Sequence, residues 1–354
     1  MKLVAAFALL ACACSGESTS SDEDALAADT RADQATVALL DHFWDAGEFR
    51  SASNSTSAAG YWIYAETFDA VLDAAQRTHL EEDAKWIDAI YSAQDARGWT
   101  RDFFDDETWM ALALVRAYDV TKNGKYLGKA ESLFDDVENN GRTATGVWWN
   151  RQHTQKATAS NFGPAILAAR LNERTGKAAY KTAAIQIYDY WYANMVNHST
   201  YQVADHRDGN GNAVWWKFTY DTGLAIGASI ELWKITANAG YLSHAHGFAN
   251  FLITQEIAPT QYGNVLHDDD CTGDCHMFKG IAFRFLAKLW TIDESKTAYH
   301  DVLKASVRAI WYDARNAQSG LFSPDWAGPA PKTTTLAAEA SATIALNVAA
   351  EDGI

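Results

Sequence analysis

Two aspartates, Asp105 and Asp106, stand side by side after Phe103-Phe104 and before Glu107-Thr108-Trp109-Met110-Ala111. Carboxyls this close repel each other, and desolvation raises the cost of charging either one, so their pKa values separate into one acid and one anion. Cleavage of a glycosidic bond needs that combination: an anion to attack the anomeric carbon and an acid to protonate the leaving oxygen. A carboxyl gap of ~5–5.5 Å gives retention of configuration, whereas ~6.5–9.5 Å admits a water and gives inversion. Neighbours on one helical turn fit the shorter gap. The bland role for such a pair is to cap the following helix, where first-turn N–H groups and the helix dipole favour carboxylates. An aromatic loop in front and an apolar helix behind weigh toward chemistry.

The elements that must hold this pair are helices of two alternating types. One type is amphipathic, with apolar residues three and four apart: Ala35 to Phe43, Leu80 to Tyr91, Tyr126 to Phe134, Tyr180 to Trp191, Tyr241 to Phe251 and Tyr299 to Ile310. The other is apolar or small nearly all round and must be buried: Trp62 to Phe68, Trp109 to Val115, Pro164 to Leu171, Gly223 to Trp233, Gly280 to Leu289 and Leu336 to Leu346. A helix pair repeating every ~45–60 residues predicts an all-α (α/α)6 toroid, six inner helices inside six outer ones, rather than an irregular bundle. The loops entering the inner helices then share one end. They carry Trp99, Trp148-Trp149, Trp215-Trp216 and Trp326 among Asp and Gly residues. An aromatic wall with a few directed polar groups suits a carbohydrate cleft.

Phe103-Phe104-Asp105-Asp106-Glu107-Thr108-Trp109-Met110-Ala111-Leu112-Ala113 resembles the Tyr-Tyr-Asp-Asp-Glu-x-Trp-Trp-Ala-Leu-Ala signature of glycoside hydrolase family 76, the endo-α-1,6-mannanases. Further similarities follow in order at Gly146-Val147-Trp148-Trp149-Asn150, Lys156 to Asn161, Thr219 to Gly223 and Asp274 to Ile281, so the resemblance covers roughly residues 32–350. It implies the (α/α)6 fold and a retaining mechanism with Asp105 as nucleophile and Asp106 as general acid/base. It implies sugar platforms at Trp99, Phe104, Trp148, Trp149 and Tyr220, and hydroxyl contacts at Asn161, Asp221, Asp274 and Lys279. The chain departs at Tyr220-Asp221-Thr222-Gly223, where the family commonly has Tyr-Asn-Gln-Gly, and at Trp109-Met110, where it often has two tryptophans. The implied activity is endo-hydrolysis of α-1,6-linked mannan. Mannan transglycosylation and non-catalytic glycan binding by a surface lipoprotein are the alternatives.

Met1-Lys2 and the apolar run to Ala11 read as an export signal, too short for the ~20 residues of a membrane span. Leu9-Leu10-Ala11-Cys12 resembles a lipobox, which implies lipidation of Cys12, with Cys14 as the alternative. The expected organisation is a lipoprotein-type signal peptide at 1–11, a flexible tether at 12–30 and one catalytic domain at 31–354. The product would be an exported protein, anchored at a bacterial cell envelope through its lipid or secreted, and monomeric. In that oxidising setting Cys271 and Cys275 read as a local disulfide, with a zinc site flanked by His267 and His276 as the lesser reading. Twenty-nine basic against 45 acidic side chains give a net charge of −16, which argues against a nucleic-acid partner. Asp208-Gly209-Asn210-Gly211-Asn212 opens like a calcium loop but ends on Thr219, so a turn is expected. Asp268-Asp269-Asp270 reads as an acidic loop edge. No metal or cofactor is expected.

Overall fold

The computed structural model describes residues 20–79, 81–269 and 271–354. The signal segment, Cys12 and Cys14 lie outside the described residues. Among the described residues twelve α-helices alternate: α1 (Ser20–Phe43), α2 (Tyr61–Thr78), α3 (Glu81–Arg97), α4 (Phe104–Thr121), α5 (Gly124–Asp136), α6 (Ala159–Thr175), α7 (Ala178–Met195), α8 (Thr219–Thr236), α9 (Ala239–Gln255), α10 (Cys275–Ile292), α11 (Thr297–Tyr312) and α12 (Leu336–Asp352). The even-numbered helices form the inner ring. Each packs on the next, and α12 closes the circle on α2. Each odd-numbered helix lies outside an inner partner. This is the (α/α)6 toroid expected from the alternating hydrophobic pattern.

The two helix types have a direct packing cause. Leu336 to Ala349 of α12 and Thr219 to Leu232 of α8 are buried without interruption, because an inner helix meets protein on every side. The close approach depends on small residues. A Cβ on Gly280 of α10 would stand 2.8 Å from the Cα and carbonyl oxygen of Ser341 of α12, closer than packed atoms tolerate. The inner helices α4 and α8 end at non-glycine left-handed residues, Lys122 (φ 56°) and Ala237 (φ 57°). Asn123 and Asn238 then cap the next outer helix by accepting from the N–H of Lys125 and Gly240. Asn123-Gly124 and Asn238-Ala239-Gly240 form these reversals.

Two features differ from the sequence expectation. Helix α1 begins at Ser20, so residues 20–30, expected as tether, are helical. Arg77 of α2 ties this segment down by donating to Asp29 (2.8 Å) and Asp33 (2.5 Å). The connections also carry short antiparallel ladders: β1 (Trp44–Asp45) with β2 (Glu48–Phe49), β3 (Arg142–Thr143) with β4 (Gly146–Val147), β5 (Lys156–Ala157) with β6 (His206–Arg207) and β7 (Ala213–Val214), and β8 (Ile257–Thr260) with β9 (Gly263–Leu266). They are too short for hydrophobic alternation to reveal.

Candidate active site

Asp105 and Asp106 lie in the first turn of α4, at the end of the ring where all inner helices start. The N-cap residue, Phe103, is extended and supplies no side-chain capping bond. The chain between β4 and β5 lies across this turn: Phe104 N–H donates to the Trp149 carbonyl (2.9 Å), and Phe103 bridges to Asn150. Gly146 makes this possible. Its φ of 93° is left-handed, and a Cβ there would collide with Asn161 Oδ1. The loop so placed aims the Trp149 indole at the carboxylates, and Nε1–H donates to Asp105 Oδ2 at 2.9 Å. Asp105 Oδ1 is buried without a hydrogen-bond partner, and the Asp106 carboxyl bonds to no described side chain or backbone group. Neither acid is spent wholly on bracing the backbone.

Electrostatics separates the two. Burial pushes Asp105 up to about 7, while the Trp149 indole and first-turn N–H groups pull it back and Asp205 pushes it further up. Burial drives Asp106 to about 8, helped by the charges of Asp105 and Asp274 and opposed by Arg101. Asp105, which has a donor, therefore ionises first, and Asp106, which has none, holds its proton to higher pH.

Glu107 locks the surroundings. It is fully buried and accepts from the Arg101 backbone N–H (2.5 Å) and from Arg151 Nη2 (2.7 Å). Arg151 also donates to the Arg101 carbonyl (2.6 Å) and to Asp136. One carboxylate thus ties the loop before α4 to the loop bearing Trp149.

The expected sugar contacts divide. Trp149 is half-buried beside Asp105 and meets Phe103 at 4.6 Å between ring centroids. Trp148 is half-buried, but its face is stacked on His153. Tyr220 contributes to the wall with its ring 4.1 Å from Phe278 and its hydroxyl donating to Asp205 (2.9 Å). Asp274 is exposed and accepts from the Trp62 indole at 3.3 Å. Lys279 is buried above the Trp326 ring, 3.9 Å from Asp268. Phe104, Trp99 and Asn161 are placed elsewhere than expected. Phe104 is fully buried beneath Arg151, and Trp99 packs on Tyr91 with its indole donating to Asp95. Asn161 spends its amide on Val147 and Ala157, which shapes the Gly146 turn. Asp221 is buried, with both carboxylate oxygens unpartnered. Local pattern marks a residue as aromatic or polar, but the packing of the loop decides whether it faces sugar or scaffold.

Other residues at this end were not singled out from sequence. Asp205, beside β6, accepts from Tyr220 and contacts His206 Nδ1 (2.6 Å), and its charge acts on Asp105. No aromatic or glycine pattern marks it. In the sequence pattern Trp62 stands out only as part of an inner helix, and nothing marks Arg151. The structure joins Cys271 to Cys275 in a disulfide that holds the chain entering α10. His267 turns to Asp325 and His276 to Thr335. Asp208 accepts from the N–H groups of Asn210 and Asn212, as a turn does. Asp268, expected at a solvent edge, is instead buried and accepts from Thr219 N–H and Oγ1, anchoring the start of α8.

With a carboxylate pair in an aromatic mouth on a twelve-helix ring, the sequence pattern of Glycosyl hydrolase family 76 matches residues 27–352. The chain belongs to glycosyl hydrolase family 76. Over 150 residues it is 28% identical to mannan endo-1,6-alpha-mannosidase DCW1 of Candida glabrata, a match covering 39% of this chain and about a third (32%) of that protein. The Lin0763 protein of Listeria innocua superposes with a TM-score of 0.84 at 25% identity, covering 91% of this chain and 97% of that one. An inactive variant of the α-1,6-mannanase GH76A of Salegentibacter sp. HEL1_6, in complex with α-1,6-mannotriose, superposes at 0.83 with 22% identity, covering 91% and 99%.

For this family 76 chain, Trp149→Phe keeps the ring wall and removes the N–H that holds the Asp105 anion. A hydrogen bond to a charged group contributes ~1.5–3 kcal/mol, and a pKa unit corresponds to about 1.4 kcal/mol. The acid limb of the activity profile is expected to move up by about one unit or more, read from initial rates across pH.

Proposed function

We propose that this protein is an endo-acting, retaining glycosidase that cleaves α-1,6-linked mannan. The observation that carries the reading is the carboxylate pair, one member bonded to Trp149 and the other unbonded, beside the packed rings of Trp149 and Phe103. In the first step Asp105 attacks the anomeric carbon while Asp106 gives its proton to the glycosidic oxygen, so the leaving chain departs as an alcohol and a glycosyl ester forms on Asp105. In the second, Asp106, now a carboxylate, takes a proton from water, which displaces Asp105 and restores both groups. The acids around the site, Asp205 and Asp274 among them, suit a transition state with oxocarbenium character, whose positive charge they stabilise. The names of DCW1 and GH76A support the choice of mannan, and the variant of GH76A described as inactive has two consecutive aspartates replaced.

Incubation of the folded protein with linear α-1,6-mannan tests the reading. Oligosaccharides of mixed length are expected, with the new reducing ends first appearing as the α-anomer by NMR. Inert mannan, or a β-anomer formed first, sinks it.

We propose further that the protein acts as a monomer and is exported, held at the cell envelope by a lipid on Cys12. The lipobox-like Leu9-Leu10-Ala11-Cys12 supports this. Labelled fatty acid fed to the producing cells is expected to enter the native chain and Cys14→Ala, but not Cys12→Ala. Label retained in Cys12→Ala assigns the anchor elsewhere.

A further inference from the structure

The inner helices end at the face opposite the carboxylates, where a cavity of about 730 Å³ opens. Five cationic side chains line it: Arg116 of α4, Arg170 and Arg174 of α6, Lys234 of α8 and Lys288 of α10. Two of these are fully committed. Arg116 donates to Asp69 and Asp73, each at 2.6 Å, and Arg174 to Asp119 (2.6 Å) and Glu173 (2.7 Å). The other three converge on one acid, Glu231 of α8. Arg170 Nε lies 3.1 Å and Lys288 Nζ 2.5 Å from its Oε1, and Lys234 Nζ 3.5 Å from its Oε2.

While Lys288 is protonated, three cations on a single buried carboxylate leave positive charge over, in a protein whose net charge is −16. Arg170 is also unfinished. It is only 8% exposed, yet Nε alone is bonded, and its two terminal nitrogens have no hydrogen-bond partner among the described residues. The fork faces the cavity and is not sealed in protein, so an incoming acceptor can reach it. Helix C-termini carry partial negative charge, so the inner-helix ends hold these cations together while the cavity is free. A planar two-donor edge beside two ammonium groups matches a tetrahedral oxyanion, which takes paired bonds from arginine and point charge from lysine.

We propose that this cavity is a second ligand site, binding a phosphate- or sulfate-type oxyanion, free or as an ester on a sugar, between Arg170, Lys234 and Lys288. Glu231 gathers the three cations from behind. The site lies at the far end of the ring from Asp105 and is independent of the glycosidase reading.

The site has a pH signature. Burial, then Arg170 and Lys234, push the Lys288 amine down to about 7 against the pull of Glu231. The other charged groups around Lys288 are Asp73 of α2, Arg116 of α4, Arg284 of α10 itself and Glu351 and Asp352 of α12. A bound anion favours the ammonium form, so binding above about pH 7 takes up a proton and weakens as pH rises.

Calorimetric titration of the whole protein at low ionic strength tests the proposal, with sodium sulfate, inorganic phosphate and mannose 6-phosphate as probes. Saturable binding is expected, with sulfate weakening above about pH 7. Lys234→Met, on a partly exposed position that leaves the fold and mannan cleavage intact, is expected to weaken binding about tenfold, near 1.4 kcal/mol. Arg170→Lys, which keeps the charge but loses the fork, is expected to weaken it as well. Tighter binding of mannose 6-phosphate than of phosphate assigns a phosphorylated sugar, and equal binding assigns the free anion. No saturable binding by the native protein, or equal binding by native protein and Lys234→Met, overturns the proposal.

Discussion

Asp105→Asn is expected to abolish mannan cleavage while making the protein more stable. Without the nucleophile the covalent route is closed, and kcat should fall by on the order of 10⁴–10⁶, the range reached when a nucleophile is removed from other hydrolases. Asp106→Asn removes the acid and should cost about 10²–10⁴. In the native protein, activity should rise as Asp105 ionises through about 7 and fall as Asp106 loses its proton through about 8, giving a narrow bell. The stability effect follows from the same upward shift. An unfolded Asp ionises near about 3.9, but folded Asp105 holds its proton to about 7, so ionisation favours unfolding. The burden begins to grow near the unfolded value and is fully present above the folded one. Thermal melts of Asp105→Asn should therefore exceed native by a few degrees at about pH 8 and match it at about pH 4. An unchanged melt with lost activity would keep the catalytic role and refute the desolvation account. Unchanged activity would remove Asp105 from the mechanism.

The largest stability loss is expected far from the carboxylates, at Arg284 of α10. Arg284 contacts Asp69 and Asp73 of α2, each at 2.6 Å, and Glu66 at 3.7 Å. Arg116 of α4 grips the same two aspartates from the other side, also at 2.6 Å. Burial leaves Glu66 raised to about 8 and so largely neutral. Asp69 is lowered despite burial, because the two arginines outweigh it. Removing one partner from such a buried group strands charge and costs about 3–5 kcal/mol. Arg284→Met should thus lower the melting temperature by roughly 6–20 °C near neutral pH. The deficit should shrink as pH falls below about 4, because Asp69 with a depressed pKa contributes stability only while it is ionised. Glu66→Gln should be close to neutral. A native-like melt for Arg284→Met would mean that this cluster does not weld the inner ring.

The alternation of amphipathic and all-round apolar helices was enough to place all twelve helices and their inner or outer layer, because burial on one side or on every side leaves its own period in the sequence. The adjacent aspartates announced their chemistry for a similarly local reason: their spacing is covalent. Which neighbours serve them was settled by contacts distant along the chain. Trp149 reaches Asp105 across 44 residues, and Asp205 comes from a ladder beyond α7. The charges buried on inner helices, such as Asp69, Arg116 and Arg284, interrupt the apolar pattern where only the closed ring supplies their partners. Phe104 and Asn161 show the converse: a ring and an amide in the first turns of inner helices serve the scaffold once packing turns them inward. Local sequence determines what a segment is able to bury; ring closure decides which polar groups meet, and therefore which of them hold charge.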